Sequence, residues 1–305
     1  ALVGGVEQDA QIQKLQDGID VLVATPGRMF DLISQGFIRI DRIETLVLDE
    51  ADRMLDMGFI DDIRSVKKKI TRQHQTLFFS ATIDKDIKKL AFSQVKTSAI
   101  RIQISPEDRV SRNVSHAVMM VAMDDKRFFL ERYIQDHPES KIMVFVRTKV
   151  RAERVVKAME RVGIETVSIH GDKDQKDRSL GMSAFRHGQC RILVATDVSA
   201  RGIDIPDVNA VINYDLPTDP ENYVHRVGRT GRGTRKGVAL SFCSPEEAGS
   251  LEAIEKFLGK PVDRIEVTKN EYSETIAYQG KGDDVMALID AHEDLMAKRK
   301  KKKKS

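Results

Sequence analysis

Cysteine is nearly absent from this chain. Cys190 and Cys243 are the two among 305 residues, far apart and without CxxC spacing. That excludes a disulfide-stapled scaffold and a zinc ribbon, and it fits a reducing, cytoplasmic setting. Long apolar runs are missing too. The longest, such as Ala117–Met123, fall well short of the roughly 18 residues of a membrane span, so no membrane partner is expected. No basic start followed by an apolar stretch opens the chain, so no secretory signal is expected. Charge of one sign is also scarce: 50 Lys and Arg against 47 Asp and Glu give a formal net charge of +3. Seven of those cations form the run Lys298–Lys304, so the remainder is acidic on balance, at −4. The basic character sits in a terminus and says nothing about the folded part.

What is present is a globular composition. Hydrophobic residues make up 41% and charged residues 32%, enough to build cores, and the length suits about two domains. Short apolar runs alternate with amphipathic helical patterns. Val21–Thr25, Thr45–Asp49, Thr76–Ser80 and Ile100–Ile104 read as buried strands. Asp52–Ile70 reads as a helix with Ile60, Ile63, Val66 and Ile70 on one face. The pattern restarts with strands predicted at Val114–Ala122, Lys141–Val146, Glu165–Ile169, Arg191–Thr196, Ala210–Tyr214 and Gly237–Phe242, and a helix at Arg151–Val162. This alternation predicts an α/β protein of parallel sheets covered by helices. Ser105–Ser111 is polar, contains Pro106 and reads as a linker. The expected organisation is a first unit over 1–105, a linker over 106–112, a second unit over 113–266 and a tail over 267–305. Val285, Leu288, Ile289 and Leu295 predict a frayed helix in that tail, ahead of the lysine-rich end.

Three clusters carry chemistry. Leu46–Asp52 is a strand ending in adjacent carboxylates, Asp49 and Glu50. Open α/β sheets bind ligands at the carboxyl ends of strands. A carboxylate there can hold Mg²⁺ through water, and the next can orient or deprotonate an attacking water. The alternative is helix N-capping by Asp49 or Asp52. Phe79-Ser80-Ala81-Thr82 ends another apolar run. Its hydroxyls can bond the carboxylates of a neighbouring strand, or cap the helix predicted over Ile83–Phe92. The strongest cluster is His225-Arg226-Val227-Gly228-Arg229-Thr230-Gly231-Arg232. Three arginines at three-residue spacing among glycines suit phosphate oxygens, because guanidinium donors are planar and always charged. A solvated basic face would carry Glu or Lys between its arginines and lack the glycines.

With these residues in view, the sequence resembles a DEAD-box ATP-dependent RNA helicase of bacterial type. Asp49-Glu50-Ala51-Asp52 matches the family's eponymous motif and Ser80-Ala81-Thr82 its SAT motif. Gly4-Gly5 and Thr25-Pro26-Gly27-Arg28 match its GG and TPGR elements. Val144–Thr148 resembles motif IV, Gln175 and Arg178 the QxxR element, Thr196-Asp197 with Ala200–Asp204 motif V, and His225–Arg232 motif VI. The match runs in the family's order from residue 1 to about 265.

The resemblance implies two RecA-like domains, ATP and Mg²⁺ as ligands, and RNA as partner. Asp49 would hold Mg²⁺ through water and Glu50 would activate the attacking water. Asp52, Ser80, Thr82 and His225 would link hydrolysis to domain closure. Arg229 and Arg232 would be arginine fingers reaching the γ-phosphate across the cleft. Gly202 and Asp204 would face the nucleotide. Gly4, Gly5, Thr25, Gly27 and Arg28 would line the RNA path on the first unit, and Arg147, Gln175, Arg178 and Thr196 on the second. Such contacts fix RNA geometry rather than base sequence. Ribosomal or RNA-degradation partners are not derivable from these residues.

Two family elements are absent from the 305 residues: a Gly-x-x-x-x-Gly-Lys-[Ser/Thr] phosphate loop and the adenine-reading Q motif. In the family both precede the stretch that opens here at Ala1. The first RecA-like domain is therefore expected to be incomplete at its N-terminus, with an apolar strand edge open beside the strand ending at Asp49. Residues 1–105 are expected to be poorly stable alone and 113–265 to fold independently. The chain alone is expected to lack ATP hydrolysis, which leaves a non-enzymatic RNA-binding fragment as the alternative. An ATPase acting on DNA or chromatin fits the strand-end carboxylates but not the TPGR and QxxR elements. His74, His116, His137, His170, His187 and His292 lack metal-ligand spacing; His170-Gly171-Asp172 reads as a strand end followed by a loop near the QxxR element, with contact to RNA as the lesser alternative. The two cysteines and Met119, Met120 and Met123 read as packing residues. Lys298–Lys304 would add nonspecific RNA affinity through counterion release.

Overall fold

The computed structural model describes residues 1–80, 85–103, 108–200 and 205–277. The chain falls into two compact units, Ala1–Ile104 and Ser105–Ser305. Both are α/β with parallel strands, the class the alternating pattern predicts.

In the first unit, β1 (Thr45–Leu48) and β2 (Gln75–Phe78) pair in parallel, from Thr45 opposite Gln75 to Leu48 opposite Phe78. Helices Asp9–Gln16, Pro26–Ser34, Ala51–Asp56, Ile60–Lys69 and Lys85–Gln94 surround them. Two small apolar clusters hold the unit, one around Met29, Ile40, Val66 and Ile70, the other around Leu48, Ile63 and Leu90.

Four expectations need correction here. Val21–Thr25 is not a buried strand: Val21 is 79% exposed, and a lone parallel bridge joins Ala24 to Leu2. Ile100 and Ile102 are exposed and outside any strand. Of the two strands that do form, β1 leaves Val47 exposed. The physical reason is shared. An apolar run has β propensity, but it becomes a buried strand only with neighbours on its edges and faces. Among the described residues, β1 and β2 have only each other. The helix predicted over Asp52–Ile70 is two helices. Gly58, at φ +78°, ends the first in the left-handed conformation that glycine adopts without strain. The predicted apolar face survives the break, with Ile63, Val66 and Ile70 buried.

The second unit is built on a seven-stranded sheet, parallel throughout, in the order β5-β6-β4-β7-β8-β3-β9. Its strands are β3 (Val114–Met120), β4 (Ile142–Phe145), β5 (Val167–Ile169), β6 (Ile192–Ala195), β7 (Ala210–Asn213), β8 (Gly237–Cys243) and β9 (Asp263–Ile265). Strands β4, β6 and β7 are buried at every position, as a parallel sheet covered on both faces requires. Period-two alternation divides them between two cores. Met143, Phe145, Leu193 and Val211 face one cluster, and Ile142, Val144, Val194 and Ile212 the other. Each of the six strands predicted in this half overlaps an observed one. Strand β9 carries no apolar signal, since all three of its residues are exposed at the sheet edge.

The stretch predicted as tail from residue 267 holds a docked helix, Lys269–Ala277. The Tyr272 hydroxyl donates to Asp125 Oδ2 (2.8 Å) and accepts from the Ala122 amide (3.0 Å), and Arg132 donates to Thr275 Oγ1 (2.6 Å). Val285–Leu295 and Lys298–Lys304 lie outside the described residues. Cys190 and Cys243 are buried, and burial pushes both thiols up from their ordinary range, as suits packing residues. Among the described residues no helix is long and apolar enough to cross a membrane.

Candidate functional site

At the carboxyl end of β1 the chain leaves the sheet at Leu48, and Asp49 and Glu50 are exposed. Asp49 Oδ1 accepts the Glu50 amide hydrogen at 2.9 Å. Glu50 has φ +50°, a left-handed conformation costing a non-glycine residue about 1–2 kcal/mol. Strain of this kind persists only where surrounding structure holds it, and it concentrates at functional sites. What holds it is visible. The Phe79 amide donates to Leu48 O (2.8 Å), and the Ala51 amide donates to Phe79 O (3.1 Å), so pairing continues beyond both strands. The Met54 amide then takes Glu50 O (3.1 Å) into the first helical turn. Asp52 is buried on that turn and Ser80 is half-buried. The structure thus gathers Asp49, Glu50, Asp52 and Ser80 at the ends of two paired strands. Thr82 lies outside the described residues.

Among the described residues no group of three or more His, Cys, Asp or Glu side chains could enclose a metal. Two exposed carboxylates at a strand end fit Mg²⁺ nevertheless, because this ion keeps much of its hydration and takes one or two protein carboxylates.

A second surface of the first unit unites residues distant in sequence. The Leu2 amide donates to Val23 O (2.7 Å) and the Thr25 amide to Leu2 O (3.0 Å). Gln11 clasps the glycine loop from beneath: its side-chain oxygen accepts from the Val3 amide (2.9 Å), and its nitrogen donates to Val3 O (3.3 Å) and Glu7 O (3.2 Å). Gly5, at φ +74°, needs its glycine. Thr25 precedes helix Pro26–Ser34, which Pro26 opens. Arg28 turns inward, with its side chain 13% exposed, and donates to Val6 O (3.0 Å). Gly4, Gly5, Thr25 and Gly27 are therefore the exposed members of this group, and Arg28 supports the loop that carries two of them.

In the second unit the carboxyl ends of β4, β5, β6 and β7 lead to Arg147, His170, Thr196 and Asp215 respectively. Asp174 caps helix Gln175–Arg186 by accepting the Asp177 amide (2.8 Å), and Arg178 donates to Gln175 Oε1 (3.2 Å). The Thr196 and Ser199 hydroxyls lie 3.0 Å apart, and Ser199 donates to Ile169 O (2.7 Å), which ties β6 to β5. His170 is not a surface contact. It is 6% exposed, and its Nε2 meets Glu153 Oε1 at 2.8 Å. Hydrogen bonds from Ser168 and His170 hold the Glu153 carboxyl below the ordinary glutamate range.

Arg147 is fixed at both ends. Its amide donates to Asp215 Oδ2 (3.0 Å), and its guanidinium donates to Leu216 O (3.2 Å) and Glu247 Oε1 (3.0 Å). Asp215 also accepts from Arg151 (3.2 Å), and Lys126 is buried against Glu247 and Tyr214 O. Sequence reasoning missed Lys126, Asp215 and Glu247. Tyr214-Asp215-Leu216, an acid embedded in an apolar stretch, is the one legible signal among them.

The arginine cluster separates into two kinds of residue. Helix Pro220–Val227, capped by Asp219, turns Arg226 into the interior, where it is 1% exposed. It pairs with both carboxylate oxygens of Asp197 (2.6 and 2.8 Å), donates to Asp215 O (2.7 Å), and lies over the Phe145 ring. Arg226 is thus committed to the fold and unavailable to a phosphate. Arg229 is half-buried and donates through Nε to His225 O (3.1 Å), while exposed Arg232 donates to Gly228 O (3.3 Å). Gly231 has φ +67°, and a Cβ there would meet Val114 Cγ2 at 2.4 Å. Thr230 anchors the turn by donating to Val208 O (2.6 Å). Gly202 and Asp204 lie outside the described residues.

Comparison with known proteins agrees with this arrangement. Residues 1–90 match the DEAD/DEAH box helicase family, and residues 125–234 match the helicase conserved C-terminal domain. The chain is 41% identical over 256 residues to DEAD-box ATP-dependent RNA helicase 5 of Oryza sativa subsp. japonica, covering 81% of this chain and 49% of that protein. It is 39% identical over 264 residues to DEAD-box ATP-dependent RNA helicase CshA of Bacillus subtilis (strain 168), covering 87% and 53%. Among solved structures it resembles S. cerevisiae Dbp5 bound to RNA and ADP BeF3, with a TM-score of 0.72 at 33% identity, over 84% of this chain and 67% of that one. The chain spans about half the length of the curated relatives it matches.

Proposed function

The chain belongs to the DEAD-box helicases, and from that premise we propose that it carries the hydrolytic and RNA-facing elements of an ATP-dependent RNA helicase acting in the cytoplasm. The observation that carries this reading is the left-handed Glu50, held beside Asp49 and Ser80 by hydrogen bonds that extend the β1–β2 ladder. A general base must be fixed relative to the water it activates, and Glu50 is exposed yet conformationally determined.

Asp49, with Glu50 beside it, would hold Mg²⁺ through water. The ion supplies charge neutralisation to the phosphate oxygens when bound. Glu50 orients the attacking water and takes its proton. Arg229 and Arg232 stabilise charge on the transferred phosphoryl group, and Gly202 and Asp204 face the nucleotide. Asp52, Ser80, Thr82 and His225 connect hydrolysis to conformational change. Gly4, Gly5, Thr25 and Gly27, with Arg28 in support, meet RNA on the first unit. Arg147, Gln175, Arg178 and Thr196 meet it on the second. Contacts of this type hold one strand by its backbone. Local duplex opening follows if ATP and RNA both bind one conformation more tightly than the other.

The 305 residues contain no Gly-x-x-x-x-Gly-Lys-[Ser/Thr] motif, the usual source of backbone amides and a lysine for the β- and γ-phosphates. That observation favours a second reading, in which this chain by itself binds RNA without turning over ATP. RNA-stimulated phosphate release separates the two. No turnover is expected from the 305-residue chain. RNA-dependent turnover by it, lost on Glu50→Gln, would establish that the chain suffices for catalysis and discard the second reading.

A further inference from the structure

We propose that Glu247, neutralised by Lys126, is a positioning residue that aims the Arg147 guanidinium at RNA. The proposal rests on the reading of Arg147 as an RNA contact and deepens it. Glu247 closes a short 3-10 turn, Pro245–Glu247, directly after β8. It is 2% exposed, yet both its oxygens are occupied. Oε1 accepts from Arg147 Nη2 (3.0 Å) and the Leu216 amide (3.1 Å). Oε2 accepts from the Ser244 amide (3.1 Å) and from Lys126 Nζ. These donors come from four places: the ends of β4, β7 and β8, and the start of helix Lys126–Asp136.

A carboxylate is an expensive way to fill this space, because burial penalises the ion unless it is fully paired. The surrounding charges show what it is suited for. Lys126, Arg147 and Arg151 meet Asp215 and Glu247, three cations against two anions. Lys126 is fully buried and Arg151 largely so, whereas the Arg147 side chain is 41% exposed. The surplus positive charge is therefore presented at Arg147. Its Nη2 makes both inward bonds, to Leu216 O and Glu247. A planar guanidinium pinned at one corner offers its remaining edge in a fixed direction, which is the preorganisation a bidentate phosphate contact needs. Glu247 lies 100 residues from Arg147 in sequence and, being buried, does not itself meet RNA.

The test is a double-mutant cycle on the full chain, with fluorescence anisotropy of a labelled ten-nucleotide oligouridylate across a salt series. Arg147→Ala should weaken binding about five- to tenfold and lower the salt slope by about 0.7, one phosphate on a single strand. Glu247→Gln should weaken binding about three- to tenfold alone and add nothing in the Arg147→Ala background. Glu247→Asp keeps the charge beside Lys126 but withdraws the oxygen from Arg147. It should reproduce the loss while the chain still melts cooperatively above the assay temperature, which covers a failure of the Gln variant to fold. Additive losses, or full RNA affinity in folded Glu247→Asp, would overturn the proposal. Normal binding by Arg147→Ala would overturn it while leaving RNA binding by the chain intact. No binding by the unaltered chain would overturn the underlying reading as well.

Discussion

Arg226 offers the sharpest separation of fold from chemistry within one short motif. Arg226→Met removes a guanidinium that is 1% exposed and deprives four acceptors of their donor: both Asp197 oxygens, Asn213 Oδ1 and Asp215 O. Breaking a buried ion pair from one side costs about 3–5 kcal/mol, because the partner charge is left uncompensated. Asp197 is 24% exposed and recovers some hydration, so the lower end applies, at about 3 kcal/mol. The unpaired Asn213 and Asp215 oxygens restore about 1 kcal/mol of that discount. The net loss is about 3–4 kcal/mol, a large fraction of the 5–15 kcal/mol typical of a domain. Urea unfolding followed by circular dichroism reads it out. With an m-value of about 2 kcal/mol/M, the midpoint of the second unit should fall by about 1.5–2 M. Arg232→Ala, at an exposed site, should leave the midpoint unchanged within about 0.5 kcal/mol. An Arg226→Met midpoint within about 0.5 M of the original would refute the claim that the first arginine of the cluster belongs to the interior.

Two further outcomes follow from the geometry. Gly231→Ala meets both an unfavourable positive φ and a Cβ 2.4 Å from Val114 Cγ2, so it should destabilise the second unit by about 1–3 kcal/mol in a thermal melt. Melting within about 2 °C of the original would argue against this fit. The Glu153 carboxyl is held below its ordinary range by Ser168 and His170, with Lys173 nearby. A depressed folded-state pKa contributes stability above the unfolded value and loses it as pH falls through the folded one. Urea midpoints should therefore drop as pH falls through and below the ordinary glutamate range, less steeply in Glu153→Gln, and parallel pH profiles for the two proteins would count against the assignment.

Much of the second unit was legible because its strands obey one rule. Ile142–Phe145, Ile192–Ala195 and Ala210–Asn213 are apolar at nearly every position, as strands covered on both faces must be. The same rule misread Val21–Thr25, Ile100 and Ile102, because apolar character reports what a segment could bury and not whether neighbours exist to bury it. Strand β9 and helix Lys269–Ala277 escaped for the opposite reason: the strand is fastened by backbone pairing with β3 and the helix by a few contacts, such as Tyr272 to Asp125 and to the Phe129 ring, which no periodicity announces. At the site, residue types and spacing pointed to Asp49, Glu50 and the arginines. They could not tell that Arg226 faces inward, since that depends on the helix ending at Val227, ahead of Arg229 and Arg232, and on the distant partner Asp197. Glu247 and Lys126 were invisible because each sits beside other charges, in Pro245-Glu246-Glu247 and Asp124-Asp125-Lys126-Arg127, and its meaning depends on partners about 30–120 residues away.

The parallel sheet of the second unit has a practical corollary for anyone who wishes to watch it work. All seven strands point the same way, so Arg147, Thr196 and Asp215 emerge along one rim. The opposite rim is left to turns entering the strands. Gly163 and Gly188 mark two of them, ahead of β5 and β6, both exposed, and nothing lies within 4 Å of where a Cβ would sit. Their φ values of +72° and +75° favour leaving the glycines themselves in place. Residues beside them, such as Arg161 and Gln189, offer anchorage for a dye or a tether remote from the ligand-facing loops. Buried Cys190 and Cys243 would compete little for a thiol-reactive label placed there.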